Sequence, residues 1–237
     1  MKLVSISLYG EDPKYNQGSI ENAILIKEAL PDWRLRVYVD YLTSKTIIRR
    51  LEHFDAEVVV RSKDWHSNGM FWRYLPIGET GLSRIIFRDA DSRILERDIW
   101  AIREWELADS DLHVIRDHPF HNIQILGGLW GVRNEALDPE LFWLKAQNFD
   151  RGFGQDQFFL AKHVYPLLKD SITSHDAFFQ FEKKHNHISC PRIKGSYMGE
   201  SFDQHNNFDQ ELRDTLLRVE SSLIRLALLR TKSKFLQ

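Results

Sequence analysis

Short apolar runs with strand character alternate with helical patterns along most of this chain, and that alternation restricts the fold more than any other feature. The strand-like runs fall at residues 3–8, 35–39, 57–60, 84–88, 112–116 and 123–133. Helical patterns lie at 19–30, 43–53, 68–75, 96–107, 139–147 and 156–168. Strands separated by helices build βαβ units, whose strands run parallel and whose crossover helices cover the sheet. The expected fold class is α/β and Rossmann-like, with a mainly parallel central sheet and helices on both faces. With 237 residues, 43% of them hydrophobic, the chain can bury one sizeable core. We expect one domain over residues 1–208 and an appended helix over 209–237.

Composition narrows the function classes. A formal net charge of −2 gives no general pull toward nucleic acid. The single Cys190 rules out a disulfide framework within the chain and a Cys-based zinc module. The opening apolar run is too short for a signal peptide, and no segment reaches the length that spans a bilayer, so a cytoplasmic location is expected. Residues 171–208, rich in His, Asn and aromatics, read either as an ordered loop region over the site or as a floppy connection. In residues 209–234, Leu212, Leu216, Val219, Leu223 and Leu226 fall at helical spacing, and every charge after Glu220 is basic. Such a helix packs on its own domain, forms a homodimer contact, or rests peripherally on an anionic membrane surface.

Chemistry concentrates between Ser83 and Asp98. The apolar run Ile85, Ile86, Phe87 stops at Asp89-Ala90-Asp91, flanked by Arg88 and Arg93. The carboxyl ends of strands in α/β sheets open into the ligand crevice. Magnesium or manganese held there by one or two carboxylates commonly also carries substrate phosphates, which arginine forks grip bidentately. A D-x-D triplet by itself is common. Asp109 and Asp111 form the same triplet, but before a strand, where a turn explains them.

Three further features follow Asp89 and Asp91 in order: the Gly127-Gly128 pair, the helix start Gly154-Gln155-Asp156-Gln157, and His175. With these the sequence resembles the GT-A glycosyltransferases, whose shared core presents a D-x-D motif, a glycine-rich loop, an acidic position and a C-terminal histidine. The acidic position reads Gln155-Asp156 here in place of Glu-Asp. The stretches FWRYLP, RDADSR, RDHP and ILGGLWG are also similar to short GT-A domains of bacterial polysaccharide loci and of a chlorella virus. The resemblance implies a metal-dependent enzyme that moves a sugar from a nucleotide-sugar donor, UDP-linked by expectation, to a glycan, lipid-linked or protein-linked acceptor. It implies Mn2+ or Mg2+ on Asp89 and Asp91, with His175 as third ligand, and Asp156 as the catalytic or acceptor-orienting carboxylate. Tyr9, Gly10 and Tyr15 would hold the nucleotide base, Asp40 the base or ribose, Arg73 the ribose or diphosphate, and Arg88 would assist the phosphates or simply neutralise the two aspartates.

Each residue has a plainer explanation beside this one. The glycines admit close approach of backbone to a ligand, or form a bulge. Asp156 and Asp40 suit a helix cap or turn, and Trp130, a flat face for a sugar, suits the core equally. Arg116, Asp117, His118 and His121 form a polar cluster after the fifth strand, expected as the acceptor-side wall with Trp130 and Gln157. His118 and His121, with His185 and His187 downstream, also raise a zinc site, without a third ligand at clear spacing. Two rival functions use similar parts: a haloacid-dehalogenase-type phosphatase, whose D-x-D normally sits on the first strand, and a binding module of this fold without turnover. A nucleotidyltransferase would need a glycine- and basic-rich loop after the first strand, in which residues 8–18 are poor.

Overall fold

The computed structural model describes residues 1–61, 69–147, 149, 152, 154–183, 186, 188, 190–222 and 224–227. The strands are β1 (Lys2–Leu8), β2 (Trp33–Asp40), β3 (Glu57–Arg61), β4 (Arg84–Arg88), β5 (Leu112–Arg116), β6 (Leu129–Arg133) and β7 (Ile172–Asp176). The helices are α1 (Pro13–Ala29), α2 (Lys45–His53), α3 (Glu96–Leu107), α4 (Pro139–Gln147), α5 (Gln155–His163), α6 (Tyr165–Leu168) and α7 (Gln210–Glu220). Among the described residues the strands form one sheet in the order β3-β2-β1-β4-β6-β5-β7. It is parallel except for β6, which runs against both β4 and β5. The expected α/β class holds.

Successive side chains of a strand leave by opposite faces, and the two cores follow from that rule. Ile85 and Phe87 join Tyr74, Trp130, Phe142 and Phe159 on one side. Ile86 joins Val4, Ile6, Ile20, Ile102 and Trp105 on the other. Helices α4 and α5 thus cover one face, and α1 and α3 the other.

Four local departures from the sequence expectation bear on the site. Helix α1 begins at Pro13, earlier than its apolar pattern, because the Asp12 side chain accepts from the Lys14 amide and proline suits a first helical position. Lys14 and Tyr15 therefore lie in a helical first turn, not in a loop. The strand expected over 123–133 shortens to β6, which leaves the glycine pair outside the ladder. The helix expected over 156–168 breaks at Val164, just before Pro166, which has no N–H to continue it. The helix expected at 68–75 is a tight 3₁₀ segment, Gly69–Tyr74, and Asn68 lies outside the described residues.

The region 171–208 is ordered where it is described. It opens with β7, which its sequence conceals, and Asp176 at the end of β7 accepts backbone N–H groups from Phe178, Phe179 and Gln180. Helix α7 sets Leu216 and Val219 against Phe178, Phe179, Phe181 and Tyr197. A further helical turn covers residues 224–227; Leu223, Leu228, Arg230, Lys232 and Lys234 lie outside the described residues. No described helix is long and apolar enough to cross a membrane.

Candidate functional site

The register brings three chain segments to one edge of the sheet. Ile6 of β1 pairs with Arg88 of β4, and Arg88 pairs with Leu129 of β6. Because β6 is reversed, the residues that leave β1 and β4 meet the residues that enter β6. Tyr9, Asp89 and Gly128 are those residues. A cavity of about 480 Å³ opens there. Tyr9, Tyr15, Arg73, Asp89 and Asp91 line it together with Gly127, Gly128, Asp156 and Gln157. Ser7, Met70, Leu126, Gly199 and Ser201 also line it, and no sequence pattern marks them. His121 is the one member of the expected acceptor-side histidine cluster on this wall.

Arg73 organises the acidic groups. Its Nη1 donates to Asp89 Oδ1, and its Nη2 donates to Asp156 Oδ2 at 2.5 Å. Both faces of its backbone are pinned: the Arg73 amide donates to Ser7 Oγ at 2.8 Å, and Ser5 Oγ donates to the Arg73 carbonyl at 2.6 Å. Burial opposes the guanidinium charge, but Tyr74, Asp89 and Asp156 outweigh it and hold the group well above its ordinary range. The Tyr74 hydroxyl lies 3.0 Å from the Gly127 carbonyl oxygen and 3.1 Å from Asp156 Oδ2. Tyr74 is fully buried, and its part in the site was not legible from sequence. Asp156 is not the cap of α5; that position belongs to Gly154 in the left-handed region at φ 73°.

The glycine pair makes room for carboxylates. A Cβ on Gly127 would stand 2.1 Å from Asp156 Oδ2, and one on Gly128 would stand 2.0 Å from Asp89 Oδ2. The expectation was close approach of a ligand; here side chains of the protein itself take the space.

Asp91 completes the group. Burial and the neighbouring Asp89 charge raise its carboxyl above the ordinary range, while the Lys14 ammonium, 3.2 Å from Oδ2, works the other way. The Asp89 side chain stays half exposed beside it. Two adjacent carboxylates at a cavity rim, one already attended by an ammonium cation, fit a hard divalent ion that takes its other ligands from water and phosphate. They do not make a closed protein cage, and among the described residues no cluster of three or more candidate ligands occurs.

His175 does not line the cavity. It is fully buried on β7, its Nδ1 lies 2.9 Å from His113 Nε2, and its Nε2 lies 3.0 Å from Glu104 Oε2. Both ring nitrogens are therefore engaged beneath the sheet, and burial lowers the ring's pKa. We expect His175→Ala to shift a Mn2+ titration less than two-fold while it lowers unfolding free energy in urea by about 3 kcal/mol, through the cavity and the stranded partners. A large shift in the metal titration at unchanged stability would reverse this assignment.

Other expected residues also lie elsewhere. Arg88 is buried on the α3 side, 3.7 Å from Asp98, whose carboxyl burial pushes up to about 6. It does not line the cavity. Asp40 Oδ1 accepts from the Leu42 amide at 2.8 Å and closes the turn after β2. Gly10 supplies the left-handed turn after Tyr9, at φ 80°. Trp130 is a core residue, its ring centroid 4.4 Å from that of Phe87. His118 Nδ1 accepts from the Phe120 amide, so Nε2 carries the proton and donates to the Leu212 carbonyl at 3.0 Å. Those bonds remove His118 from a zinc site as well, and His185 and His187 lie outside the described residues. Asp117, fully buried, receives both Arg97 and Arg192 and the Met198 amide at 3.0 Å, so it fastens the chain and does not line the cavity.

No protein-family model matches the chain, and no curated protein matches it. Solved structures of low identity do. The S. aureus TarS fragment 1–349 is 14% identical with a TM-score of 0.46, over 67% of this chain and 54% of that one. M. tuberculosis glucosyl-3-phosphoglycerate synthase in complex with UDP is 20% identical, with a TM-score of 0.45 over 72% of this chain and 68% of that one. The same enzyme with Mn2+, UDP-glucose and glycerol 3-phosphate is 20% identical, with a TM-score of 0.46 and the same coverage. The chain thus spans about half the length of the TarS fragment.

Proposed function

We propose that this protein is a glycosyltransferase that depends on a divalent metal and moves a sugar from a UDP-linked donor to a hydroxyl of a glycan, lipid-linked or protein-linked acceptor. One observation carries the reading: Asp89, Asp91 and Asp156 converge on a single cavity, with Arg73 fixed between the first and the last. A phosphatase of the haloacid-dehalogenase type would need its first aspartate free as a nucleophile. Asp89 is instead held by Arg73 and lies directly against Gly128.

The residues divide the work. Asp89 and Asp91 would hold Mn2+ or Mg2+, which neutralises charge developing on the departing diphosphate. Tyr9 and Tyr15, on the β1 side, offer flat faces to the base. Burial pushes the Tyr9 hydroxyl up to about 12, so it stays protonated and can donate. Asp156, presented by the first turn of α5, faces the acceptor with Gln157 beside it and either takes the proton of the attacking hydroxyl or aligns it. Arg73 and Tyr74 keep that carboxylate in place before substrate arrives, which is the preorganisation such a role requires. Residues 1–208 would be the catalytic domain. The contacts of α7 with Phe178, Phe179 and Tyr197 favour packing on that domain over a role in association.

The test separates chemistry from binding. Asp156→Asn should lower transfer about a hundred-fold and change Mn2+-supported UDP affinity less than three-fold. Equal losses in both measurements would remove the acceptor-side role.

A further inference from the structure

The D-x-D carboxylates do not wait bare for a metal: Asp89 is paired with Arg73, and Asp91 with Lys14. The two partners differ in how firmly they are held. The Arg73 side chain is buried, bonded to Asp156 as well, and pinned through its backbone by Ser5 and Ser7. The Lys14 side chain is about one-third exposed, and its ammonium lies 4.6 Å from the Tyr15 ring centre as well as beside Asp91.

Helix α1 is built to carry Lys14 to that place. Lys14, Gly18 and Asn22 are spaced four apart and so share one face of the helix. A Cβ on Gly18 would stand 2.0 Å from the Ala90 carbonyl oxygen, so the helix backbone abuts the D-x-D segment directly. Asn22 then stitches the same face to the following residues: Nδ2 donates to the Ser92 carbonyl at 2.8 Å, and Oδ1 accepts from the Ile94 amide at 3.1 Å. A lysine in the first turn of a 17-residue helix sits at the positive end of the helix dipole, where a cation is disfavoured. The pairing with Asp91 offsets that.

We infer that Lys14 is an internal counter-ion that a divalent cation displaces from Asp91 and that a diphosphate then receives, so that metal and nucleotide bind cooperatively. This rests on the metal-site reading above and concerns what the metal must compete with. Without nucleotide, the ion has to evict an ammonium tethered to a docked helix. With nucleotide, the released ammonium finds phosphate oxygens, for which a lysine is a competent point-charge partner. Each ligand thus raises the affinity of the other by the same factor, as linkage requires.

Calorimetric titration of the chelator-treated full chain with Mn2+, without and with UDP, tests the inference in wild type, Lys14→Met and Lys14→Glu. For Lys14→Met we expect Mn2+ alone to bind about two- to five-fold tighter, the scale of one partly exposed ion pair. The enhancement of Mn2+ affinity by UDP should shrink by at least that factor, and Lys14→Glu should bind Mn2+ alone tighter still. Lys14→Met that binds Mn2+ no tighter than wild type, with the UDP enhancement intact, overturns the inference and leaves the metal site standing. Wild type that takes up no Mn2+ even with UDP removes the metal site itself, and the inference with it.

Discussion

Asp91→Ala will reduce sugar transfer about a thousand-fold, because a barrier rise of roughly 4 kcal/mol is what the loss of metal-borne charge neutralisation costs. Two features make this the most damaging single change at the site. Asp91 sits beside Asp89 in a partly buried rim, where burial already raises its carboxyl and calls for a compensating cation. Asp89 cannot deputise, because Arg73 and the wall at Gly128 fix its direction. The same variant should lose the dependence of UDP binding on Mn2+, read by thermal shift, since a ligand that no longer binds can no longer stabilise the fold. A variant that retains a tenth of the wild-type rate would show that Asp91 does not hold the metal.

Asp117→Ala should be the most destabilising substitution tested, at about 3–5 kcal/mol in urea unfolding. Arg97 Nε and Nη2 each donate to the Asp117 carboxylate at 2.9 Å, and Arg192 does so at 2.9 and 2.8 Å through Nη1 and Nη2. Burial works against the charge, yet these guanidinium groups and the Met198 amide hold the carboxyl below its ordinary range. Removing the carboxylate leaves two arginines facing one another in a buried place. Since Arg192 also reaches Glu220 of α7, the damage should extend to the C-terminal helix. Loss of transfer at unchanged unfolding free energy would instead return Asp117 to the acceptor wall.

The parts of this fold that could be read from sequence are those in which a period shows. Strands β1, β2 and β4 are apolar runs between polar turns, and their neighbours have helical spacing, so the sheet and the helices on its two faces followed. Strand β7 was hidden because its five residues, ITSHD, carry one aliphatic side chain and bury polar ones on both faces. That burial also misled the reading of His175. Order along the chain brought it level with a metal-binding histidine, but order does not tell which side of a sheet a side chain leaves by. Asp89, Asp91 and Asp156 were legible since strand ends and helix starts are where carboxylates can reach a crevice. Their partners were not: Tyr74 looks like any core aromatic, and only the Asp12 cap, which starts α1 at Pro13, sets Lys14 in a helical turn beside Asp91. The glycine pair was visible, yet only three-dimensional proximity discloses that each missing Cβ is the berth of an acid.

A reversed strand in an otherwise parallel sheet has one more outcome. Each parallel strand must climb back through a helix before it can contribute again to the same rim, whereas β6 brings its amino end to the rim where β1 and β4 finish. The floor laid by Gly127 and Gly128 is thus anchored on one side by the ladder of β6, and on the other by the Tyr74 hydroxyl at the Gly127 carbonyl and by Arg116, whose Nε donates to the Ile123 and Gln124 carbonyls at 3.1 Å. Neither glycine can be exchanged without moving the carboxylate that fills the place of its missing Cβ, so the reversed strand ties the shape of this floor to the acids themselves.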